Sequence, residues 1–478
     1  MSTGARVVAV DVGTSAVRAA VVDIDGGVLA SHHLSRACDP GGETFDPVAL
    51  HRDVLAALRG VSSTGEAPSA LAIAAHIGTV AVDDDLEPEA LGGGWSDPRG
   101  VRTLAELGEG TVRRVLSASG RPSPAGGALA RLLEMDAEHA ASVRAVLSPK
   151  DFLVARLTGE VFSDTVSAAY TLASDVRSRS WNTALLDELG LDSAVFAPQT
   201  EPASVVGALT GRAASDTGLP EGLPVVAGGP DGSVGIGLLL GTSEDAIADV
   251  AGTTDVVGRL LPSADDAPDG AVLNPSVLPA RFVAGGATGL TGGAVARWRS
   301  LAGDVEDQRI AAVPPGADGL TILPAMTGAR FPRWRPASRG AVLGQHPGHG
   351  PAHVLRAAQE GAAFTVREGL DRLDPSGRLP VVLAGGSARS AHLAHLRADA
   401  LGRPLLVSPQ PDVTLLGAAA LAFLGSGAAT DMDDLRSRLI GTMRELRPDE
   451  KRAARYARLY SRWRELHDAV DRAAGTDG

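Results

Sequence analysis

The start of the chain alternates between apolar runs and short polar turns, a pattern that predicts an antiparallel β meander. The apolar runs are Val7–Val10, Val17–Ile24 and Val28–Ser31. Residues 11–15 (DVGTS) and 25–27 (DGG) separate them, and Asp-Gly sequences favour tight hairpin turns. The chain is therefore predicted to begin with three strands that carry a Gly-Thr-Ser turn between the first two.

Beyond the meander, the spacing of apolar residues predicts helices and short strands. In the first half, where residues 100–220 are mostly helical, the predicted helices are 47–59, Ala128–Met135, Pro149–Leu157, Thr183–Leu189 and Asp231–Leu240, and the strands are Ala70–Ile77 and Leu223–Ala227. In the second half the predicted helices are Thr291–Leu301, Pro351–Leu373, Arg389–Leu401, Thr414–Leu424 and an amphipathic closing helix at about 448–473, and the strands are Asp245–Val250, Val256–Leu261, Leu320–Leu323, Pro380–Leu383 and Leu405–Val407. Residues 262–270 predict a polar loop.

The opening pattern returns at the start of the second half. Residues 249–254 (DVAGTT) lie in a strand–turn–strand context, as residues 11–15 do. We interpret the two copies as a weak internal repeat. Two such hairpins facing each other across a cleft could clamp a polyphosphate from both sides.

Composition and charge exclude several classes of protein. The 478 residues are 44% hydrophobic and 21% charged, with a net charge of −13. These values fit a globular protein and disfavour binding to nucleic acid or to an anionic membrane. The first residues do not have the pattern of a signal peptide, and no apolar run reaches membrane-spanning length, so we expect neither feature. We therefore expect a cytoplasmic protein with no nucleic-acid or membrane partner.

Rare residue types exclude further chemistry. Only Lys150 and Lys451 are lysines among the 44 basic residues, and neither lies in a Walker A sequence or a protein-kinase strand motif. Cys38 is the single cysteine, which excludes an intramolecular disulfide and a multi-cysteine metal site. No strict G-x-G-x-x-G sequence occurs, which disfavours a nicotinamide-dependent dehydrogenase.

The first Gly-Thr-Ser turn has the residue types of a phosphate site. Gly13 allows close approach of the backbone to a phosphate, and the hydroxyls of Thr14 and Ser15 add donors. Asp11 could hold Mg²⁺, usually through water, and Arg18 could contact an anion. An ordinary turn is the alternative interpretation.

The second copy strengthens the phosphate interpretation, because Gly252, Thr253 and Thr254 offer the same groups. Gly385 and Gly386 follow an apolar strand and precede a helix. A corner of this kind allows a flat ring to lie against the backbone, although Gly-Gly sequences are frequent.

Asp231 follows a Gly-Gly-Pro turn and opens a predicted helix. It is either a helix cap or a general base that accepts a proton from a substrate hydroxyl. His346, His349 and His353 have spacings of three and four, but no cysteine or clear carboxylate partner is nearby. A metal site there is the less favoured interpretation.

The whole chain resembles the FGGY carbohydrate kinases, within the actin-like ATPase and sugar kinase superfamily, and is closest to the xylulokinase-like members. Residues 95–99 (WSDPR) resemble the family's W-x-D-x-R motif on the sugar side. Further segments resemble family motifs in order along the chain: 7–30, 147–169, 225–241, 251–258, 319–344, 383–405 and 412–422.

This resemblance implies an α/β fold of two ribonuclease-H-like domains flanking a deep cleft. Residues 1–242 would bind the sugar and supply the base, and residues 243–478 would bind ATP. Asp231 matches the family's catalytic base, Asp11 its magnesium-associated Asp, and Gly385 and Gly386 its nucleotide-side glycines. Cofactors would be ATP and Mg²⁺, and a homodimer is possible.

Trp95, Asp97 and Arg99 could supply an apolar wall, an acceptor and a donor for the sugar, although Asp97 and Arg99 could instead pair with each other. Three departures concern the acceptor. Ala329 stands where the family usually has Glu, His395 stands where it has Gln, and the segment around His76 differs from the xylulokinase pattern.

The predicted function is ATP-dependent phosphorylation of a ketopentose such as D-xylulose. The alternatives are another ketose, a sugar acid or a polyol (ribulose, gluconate, erythritol), or a non-catalytic paralogue that binds sugar or nucleotide.

Overall fold

The computed structural model describes residues 4–36, 43–62, 67–303, 305–473 and 475, and Cys38 lies outside them. The strands of the first half are β1 (Arg6–Val12), β2 (Ala16–Asp23), β3 (Val28–Ser35), β4 (Thr44–Phe45), β5 (Leu71–Ala75), β6 (Val80–Val82), β7 (Gly92–Gly93), β8 (Ala145–Leu147), β9 (Ser163–Asp164), β10 (Ser174–Asp175), β11 (Ser180–Trp181), β12 (Gln199–Thr200), β13 (Val205–Ala208) and β14 (Pro224–Pro230). Its helices are α1 (Pro47–Arg59), α2 (Val101–Ala105), α3 (Glu109–Ser119), α4 (Ala128–Glu134), α5 (Ala137–Ser142), α6 (Pro149–Thr158), α7 (Thr165–Tyr170), α8 (Thr183–Glu188), α9 (Gly211–Thr217) and α10 (Asp231–Leu240).

The second half contains the strands β15 (Ile247–Ala251), β16 (Asp255–Leu261), β17 (Val272–Pro275), β18 (Phe282–Ala287), β19 (Thr321–Leu323), β20 (Ala341–Leu343), β21 (Val381–Gly385), β22 (Leu405–Val407) and β23 (Arg444–Leu446). Its helices are α11 (Thr291–Ala302), α12 (Asp307–Ala312), α13 (Pro351–Leu373), α14 (Gly386–Arg389), α15 (Ala391–Leu401), α16 (Val413–Gly425), α17 (Met432–Ile440) and α18 (Glu450–Ala473). Short 3₁₀ turns occupy Ser193–Val195, Ala264–Asp266 and Ala317–Gly319.

Each half is built around one mixed sheet. The first has the strand order β13-β14-β5-β1-β2-β3, in which β14, β5 and β1 are parallel and β1, β2 and β3 form the predicted meander. The second has the order β17-β18-β16-β15-β21-β22-β23, in which β15, β21 and β22 are parallel. Parallel strands are buried on both faces, and β1 accordingly is buried from Val7 to Val12, with Val and Ala at every position of that stretch except Asp11.

Two apolar helices, α10 and α16, lie in the core that the two sheets share. Both are apolar on nearly all sides, as expected for buried helices. They cross so closely that a Cβ on Gly417 would stand 2.7 Å from the carbonyl oxygen of Val234. This crossing fixes α10 against both halves, and Asp231 is the first residue of that helix.

The structure differs from the predicted elements at several places. The helix predicted over Arg389–Leu401 is interrupted at Ser390, whose side chain caps α15 by accepting the N–H of Leu393. The 262–270 loop includes a 3₁₀ turn, and the mostly helical 100–220 segment also holds short strands. Within the described part of the chain, no helix is long and apolar enough to span a membrane.

Candidate active site

The predicted site residues lie at the carboxyl ends of the parallel strands in both sheets. In the first sheet, β1 leads into the Gly13 turn, β5 into His76 and β14 into Asp231. In the second, β15 leads into the Gly252 turn and β21 into Gly386. Ligands of α/β proteins bind at the carboxyl ends of the parallel strands. In each half, the polar turns therefore lie at the edge of the sheet where a ligand is expected.

Two carboxylates, one from each half, lie within electrostatic reach of Asp11. The pKa of Asp11 is raised to about 7, chiefly by burial, with the charges of Asp231 and Asp412 acting in the same direction and that of Arg18 opposing them. Desolvation likewise raises the pKa of Asp231 to about 6, opposed by the N–H of Gly232, which lies 2.6 Å from Oδ1. Asp231 keeps an intermediate solvent exposure, so its carboxylate is accessible to a ligand.

Arg18 bridges the two halves. Its Nη1 lies 3.3 Å from Asp11 Oδ2 and 3.4 Å from Asp412 Oδ1, and Arg389 Nη2 lies 3.2 Å from the same Asp412 oxygen. The side chains of Arg18 and Asp412 are 42% and 41% exposed. Exposed ion pairs contribute little stability, so Arg18 can exchange Asp412 for an incoming anion at low cost.

The residues around Asp11 fit a magnesium ion of the kind that accompanies phosphates. Mg²⁺ is usually held by one or two carboxylates, phosphate oxygens and water. The pKa of Asp11 is raised first by burial and second by the negative charge of Asp231, and a divalent cation would stabilise the ionised carboxylate against both effects. The described residues contain no cluster of three or more ligating side chains, so Asp11 would hold the ion with water and phosphate as the other ligands.

The second Gly-Thr turn belongs to a pocket of about 280 Å³. Gly252, Thr253 and Gly386 line it, with the apolar side chains of Val295 and Leu396 on its walls. Thr254 closes the turn by accepting the N–H of Gly252 at 3.3 Å. In the first half, the N–H of Gly13 donates to Ala16 O at 2.9 Å, while Thr14 and Ser15 are exposed.

Gly385 occupies a position that requires glycine. Its φ is +90°, and a Cβ there would stand 2.3 Å from the carbonyl oxygen of Ala251 on the neighbouring strand. The backbone at the end of β21 therefore approaches the Gly252 hairpin directly.

The aspartate of the second repeat differs from that of the first. Asp249 is fully buried, and Arg397 forms ion pairs with both Asp249 and Asp255. This pairing occupies the carboxylate within the core, so Asp249 is not a counterpart of Asp11 as an ion ligand.

His76 presents an unpartnered nitrogen at the end of β5. Its Nδ1 lies 3.1 Å from Ile77 O, and because a carbonyl can only accept, Nδ1 carries the proton. Burial lowers the pKa of His76 to about 4, so the ring is neutral and Nε2 is an acceptor. Nε2 is buried and bonds to no described residue. The backbone N–H of His76 donates to Val12 O at 2.9 Å, which holds the His76 backbone beside the end of β1.

The residues of the W-x-D-x-R motif make two separate sets of contacts, one by Asp97 with Arg99 and the other by Trp95. Arg99 Nε lies 2.8 and 2.9 Å from the two Asp97 oxygens, so these two residues pair with each other and line a pocket of about 240 Å³. Trp95 instead stacks under Arg330, whose guanidinium carbon lies 3.6 Å from the ring centre. Asp97 and Arg99 therefore form the alternative pairing that the sequence left open.

The three histidines after β20 lie together without a metal-site geometry. The rings of His346 and His349 are 3.8 Å apart, and His353 pairs with Asp318. No described residues near them form a metal-ligand cluster. His395 is exposed on α15.

Sequence reasoning missed Asp412 and Arg330. Asp412 stands just before α16 and opens the family-like segment 412–422, but the sequence assigns its side chain no role. Arg330 follows Ala329, the departure noted above, and among the described residues no carboxylate lies within ion-pairing distance of its guanidinium. Both residues become informative only through contacts with the other half of the chain.

The paired sheets, the shared helices and the polar strand ends define an α/β kinase fold of the actin-like ATPase type. The chain belongs to the FGGY family of carbohydrate kinases: models of the family's N-terminal and C-terminal domains match residues 6–237 and 248–426. It is therefore a sugar phosphotransferase, and kinases of this family use ATP as phosphate donor.

Relatives with different acceptors resemble nearly the whole chain. Autoinducer-2 kinase of Enterobacter sp. (strain 638) is 29% identical, with 96% of this chain and 93% of the relative covered. Xylulose kinase of Lactococcus lactis subsp. lactis (strain IL1403) is 22% identical, with 96% of each covered. A ligand-bound xylulose kinase structure from Lactobacillus acidophilus superposes with a TM-score of 0.89 at 20% identity, covering 99% of this chain and 100% of that one.

Proposed function

We propose that this protein transfers the γ-phosphoryl group of ATP to a hydroxyl of a small ketose, with Asp231 as general base. The main support for this proposal is that burial raises the pKa of the Asp231 carboxyl to about 6. This carboxyl combines an accessible position with a pKa close to physiological pH, as a general base requires. We place the domain boundary between residues 242 and 243, so that the first domain would bind the sugar and the second would bind the nucleotide.

In this mechanism Asp231 accepts the proton of the acceptor hydroxyl while the hydroxyl oxygen attacks the γ-phosphorus. The bond from that phosphorus to the bridging oxygen breaks, and ADP leaves with the bridging oxygen. Phosphoryl transfer depends mainly on positioning and charge stabilisation, and Arg18 supplies positive charge from the protein. Mg²⁺, when bound, neutralises charge on the phosphate oxygens, and Asp11 would hold it.

The backbone turns would hold the nucleotide. Gly13, Thr14 and Ser15 would contact the phosphates from one side, and Gly252, Thr253 and Thr254 from the other. Gly385 and Gly386 would leave room for the adenosine against the backbone. The pocket lined by Gly252 and Gly386 supports this arrangement.

On the acceptor side, His76 Nε2 would accept a hydrogen bond from a sugar hydroxyl, and Trp95 would provide an apolar wall. The Asp97–Arg99 pair would shape the loop that carries them. Xylulose-like ketopentoses are the first class of acceptor proposed, and the relatives' names add autoinducer-2 to ribulose, gluconate and erythritol as alternatives. Because the His76 segment departs from the xylulokinase pattern, D-xylulose should react inefficiently and another ketose or polyol better.

The test is ADP release by the purified protein with each of these acceptors. The proposal expects one acceptor to raise ADP release at least tenfold above the acceptor-free rate. ATP binding without turnover on any acceptor would contradict it and favour a non-catalytic paralogue. A cytoplasmic location and a homodimer stay predictions.

A further inference from the structure

Lys150 is a buried lysine in a chain that uses arginine almost everywhere else. Its side chain is 1% exposed, whereas Lys451, the other lysine, is exposed. Buried ion pairs elsewhere in this protein use arginine, as Arg397 and Arg403 do. An ammonium group is compact and has three rotatable donors, whereas a guanidinium is a wide planar fork.

The ammonium of Lys150 has three polar neighbours, two through hydrogen bonds and one through an ion pair. Nζ donates to Asp151, lies 3.2 Å from Asp164 Oδ2 and donates to the carbonyl of Ala227 at 2.7 Å. Asp151 and Asp164 are both fully buried. The ammonium thus connects three parts of the fold: α6, the N-terminal end of α7 and β14.

The β14 contact falls where the strand leaves regular pairing. Val226 pairs with Ala72 and Gly229 with Ala74, so three steps along β14 oppose two along β5. Such a bulge re-aims the chain that follows, and bulges of this kind occur beside active sites.

Gly228 completes the bulge. It has a φ of +72°, and a Cβ there would stand 2.0 Å from Ile73 O and 3.2 Å from Lys150 Cδ. The packing leaves no room for a larger group next to the lysine stem. Asp231 follows Gly228 by three residues.

Asp164 connects this cluster to a second backbone segment. Its Oδ1 accepts the N–H groups of Val166 and Ser167 at 2.9 Å each and so caps α7. Its other oxygen faces Lys150. The bulge is therefore braced against the start of α7 through one ammonium ion.

We propose that Lys150 is a positioning residue for Asp231: by holding the Ala227 carbonyl and Asp164 together, it fixes the bulge that aims the base at the acceptor hydroxyl. This inference rests on the proposed role of Asp231. Lys150 touches neither substrate in this account and acts only through the backbone of β14.

The test compares Lys150→Met with the double variant Lys150→Met/Asp164→Asn. The double variant removes one of the two opposed charges and keeps an oxygen that can cap α7, which lowers the risk of misfolding from unpaired buried carboxylates. The other carboxylate, Asp151, keeps its hydrogen bonds from the hydroxyls of Ser148 and Ser163. Lys451→Met is the matched control. We measure kcat at saturating ATP and acceptor, the acceptor KM, the Kd for ATP by calorimetry, and the thermal transition.

We expect kcat to fall about 10- to 100-fold in both Lys150 variants, because small displacements of a catalytic group cost rate on this scale. The Kd for ATP should stay within threefold of wild type, as should every value for Lys451→Met. A folded Lys150 variant with kcat within threefold of wild type overturns the inference. Failure of the double variant to fold also overturns it, since the cluster would then serve folding. Wild-type kcat in Asp231→Asn would instead refute the proposed function.

Discussion

The guanidinium of Arg330 stacks on the indole of Trp95, 3.6 Å from the ring centre, and the two residues come from opposite halves of the chain. Burial lowers the pKa of Arg330 to about 10, so it remains charged at neutral pH. Ala329, the residue before Arg330, stands where the resemblance to the family leads us to expect a Glu. The stacking therefore joins the two halves beside the sugar-side motif.

We predict that Trp95→Leu and Arg330→Ala each weaken acceptor binding. A partly buried cation–π contact contributes about 0.5–2 kcal/mol, which corresponds to an acceptor KM about 2- to 30-fold higher. The Kd for ATP should change less than threefold. The exposed Arg339→Ala is the control. An unchanged acceptor KM in both variants would show that the contact plays no part in acceptor binding.

His76→Ala should change the ranking of acceptors more than the affinity for ATP. Loss of a hydrogen bond to one hydroxyl costs about 1–3 kcal/mol, and only acceptors that carry that hydroxyl lose it. Steady-state kcat/KM values over the acceptor panel, with the exposed His33→Ala as control, measure the effect. A uniform loss over all acceptors would contradict a specific contact.

Asp11→Asn should abolish the contribution of magnesium to ATP binding. Calorimetric titration of ATP with and without Mg²⁺ measures that contribution directly. In wild type Mg²⁺ should tighten ATP binding, and in Asp11→Asn the two titrations should agree within about threefold, with binding of the acceptor alone unchanged. Persistence of the wild-type magnesium effect would exclude Asp11 as the ion's protein ligand.

The raised pKa of Asp231 predicts a pH dependence of rate. The base must be deprotonated, so kcat/KM should fall as the pH drops below about 6. If Asp11, whose pKa is about 7, must also be ionised, kcat/KM falls more steeply with decreasing pH than the loss of a single ionised group would give. A profile flat from pH 8 to pH 5 would contradict both assignments.

The same pKa shift predicts a cost in stability. The folded protein binds a proton at Asp231 up to about pH 6, whereas the unfolded chain releases it near 3.8. The contribution of the Asp231 carboxyl to the free energy of unfolding is thus fully present below about pH 4 and is lost as the pH rises through 6. Asp231→Asn should therefore raise the melting temperature at pH 8 relative to wild type, with no gain at pH 4. Equal gains at both pH values would contradict the shift.

The sequence predicts an element well when residues within that element, such as a starting proline and an apolar repeat, define it. The predicted helix Pro351–Leu373 and the observed α13 have the same bounds, because a proline start and a long apolar periodicity define it. The break at Ser390 was missed, since a helix cap interrupts a helix without disturbing its apolar spacing. The Gly13 and Gly252 turns were found through their repeated sequence.

Contacts between distant residues could not be read in the same way. Arg18 and Asp412 are 394 positions apart, and Lys150 and Ala227 are 77 apart. Their roles come from the meeting of strand ends and helices in three dimensions. The Asp97–Arg99 pairing was open for a related reason, because spacing alone does not show whether two charged neighbours bond to each other or to a ligand.

The central claim is that Asp231 accepts the proton of the acceptor hydroxyl, and kcat of Asp231→Asn on the best acceptor tests it most directly. The variant keeps the size of the side chain and removes the base. We predict a normally folded protein, a Kd for ATP within threefold of wild type and a kcat lower by about 10²–10⁴-fold. A kcat within threefold of wild type would contradict the account.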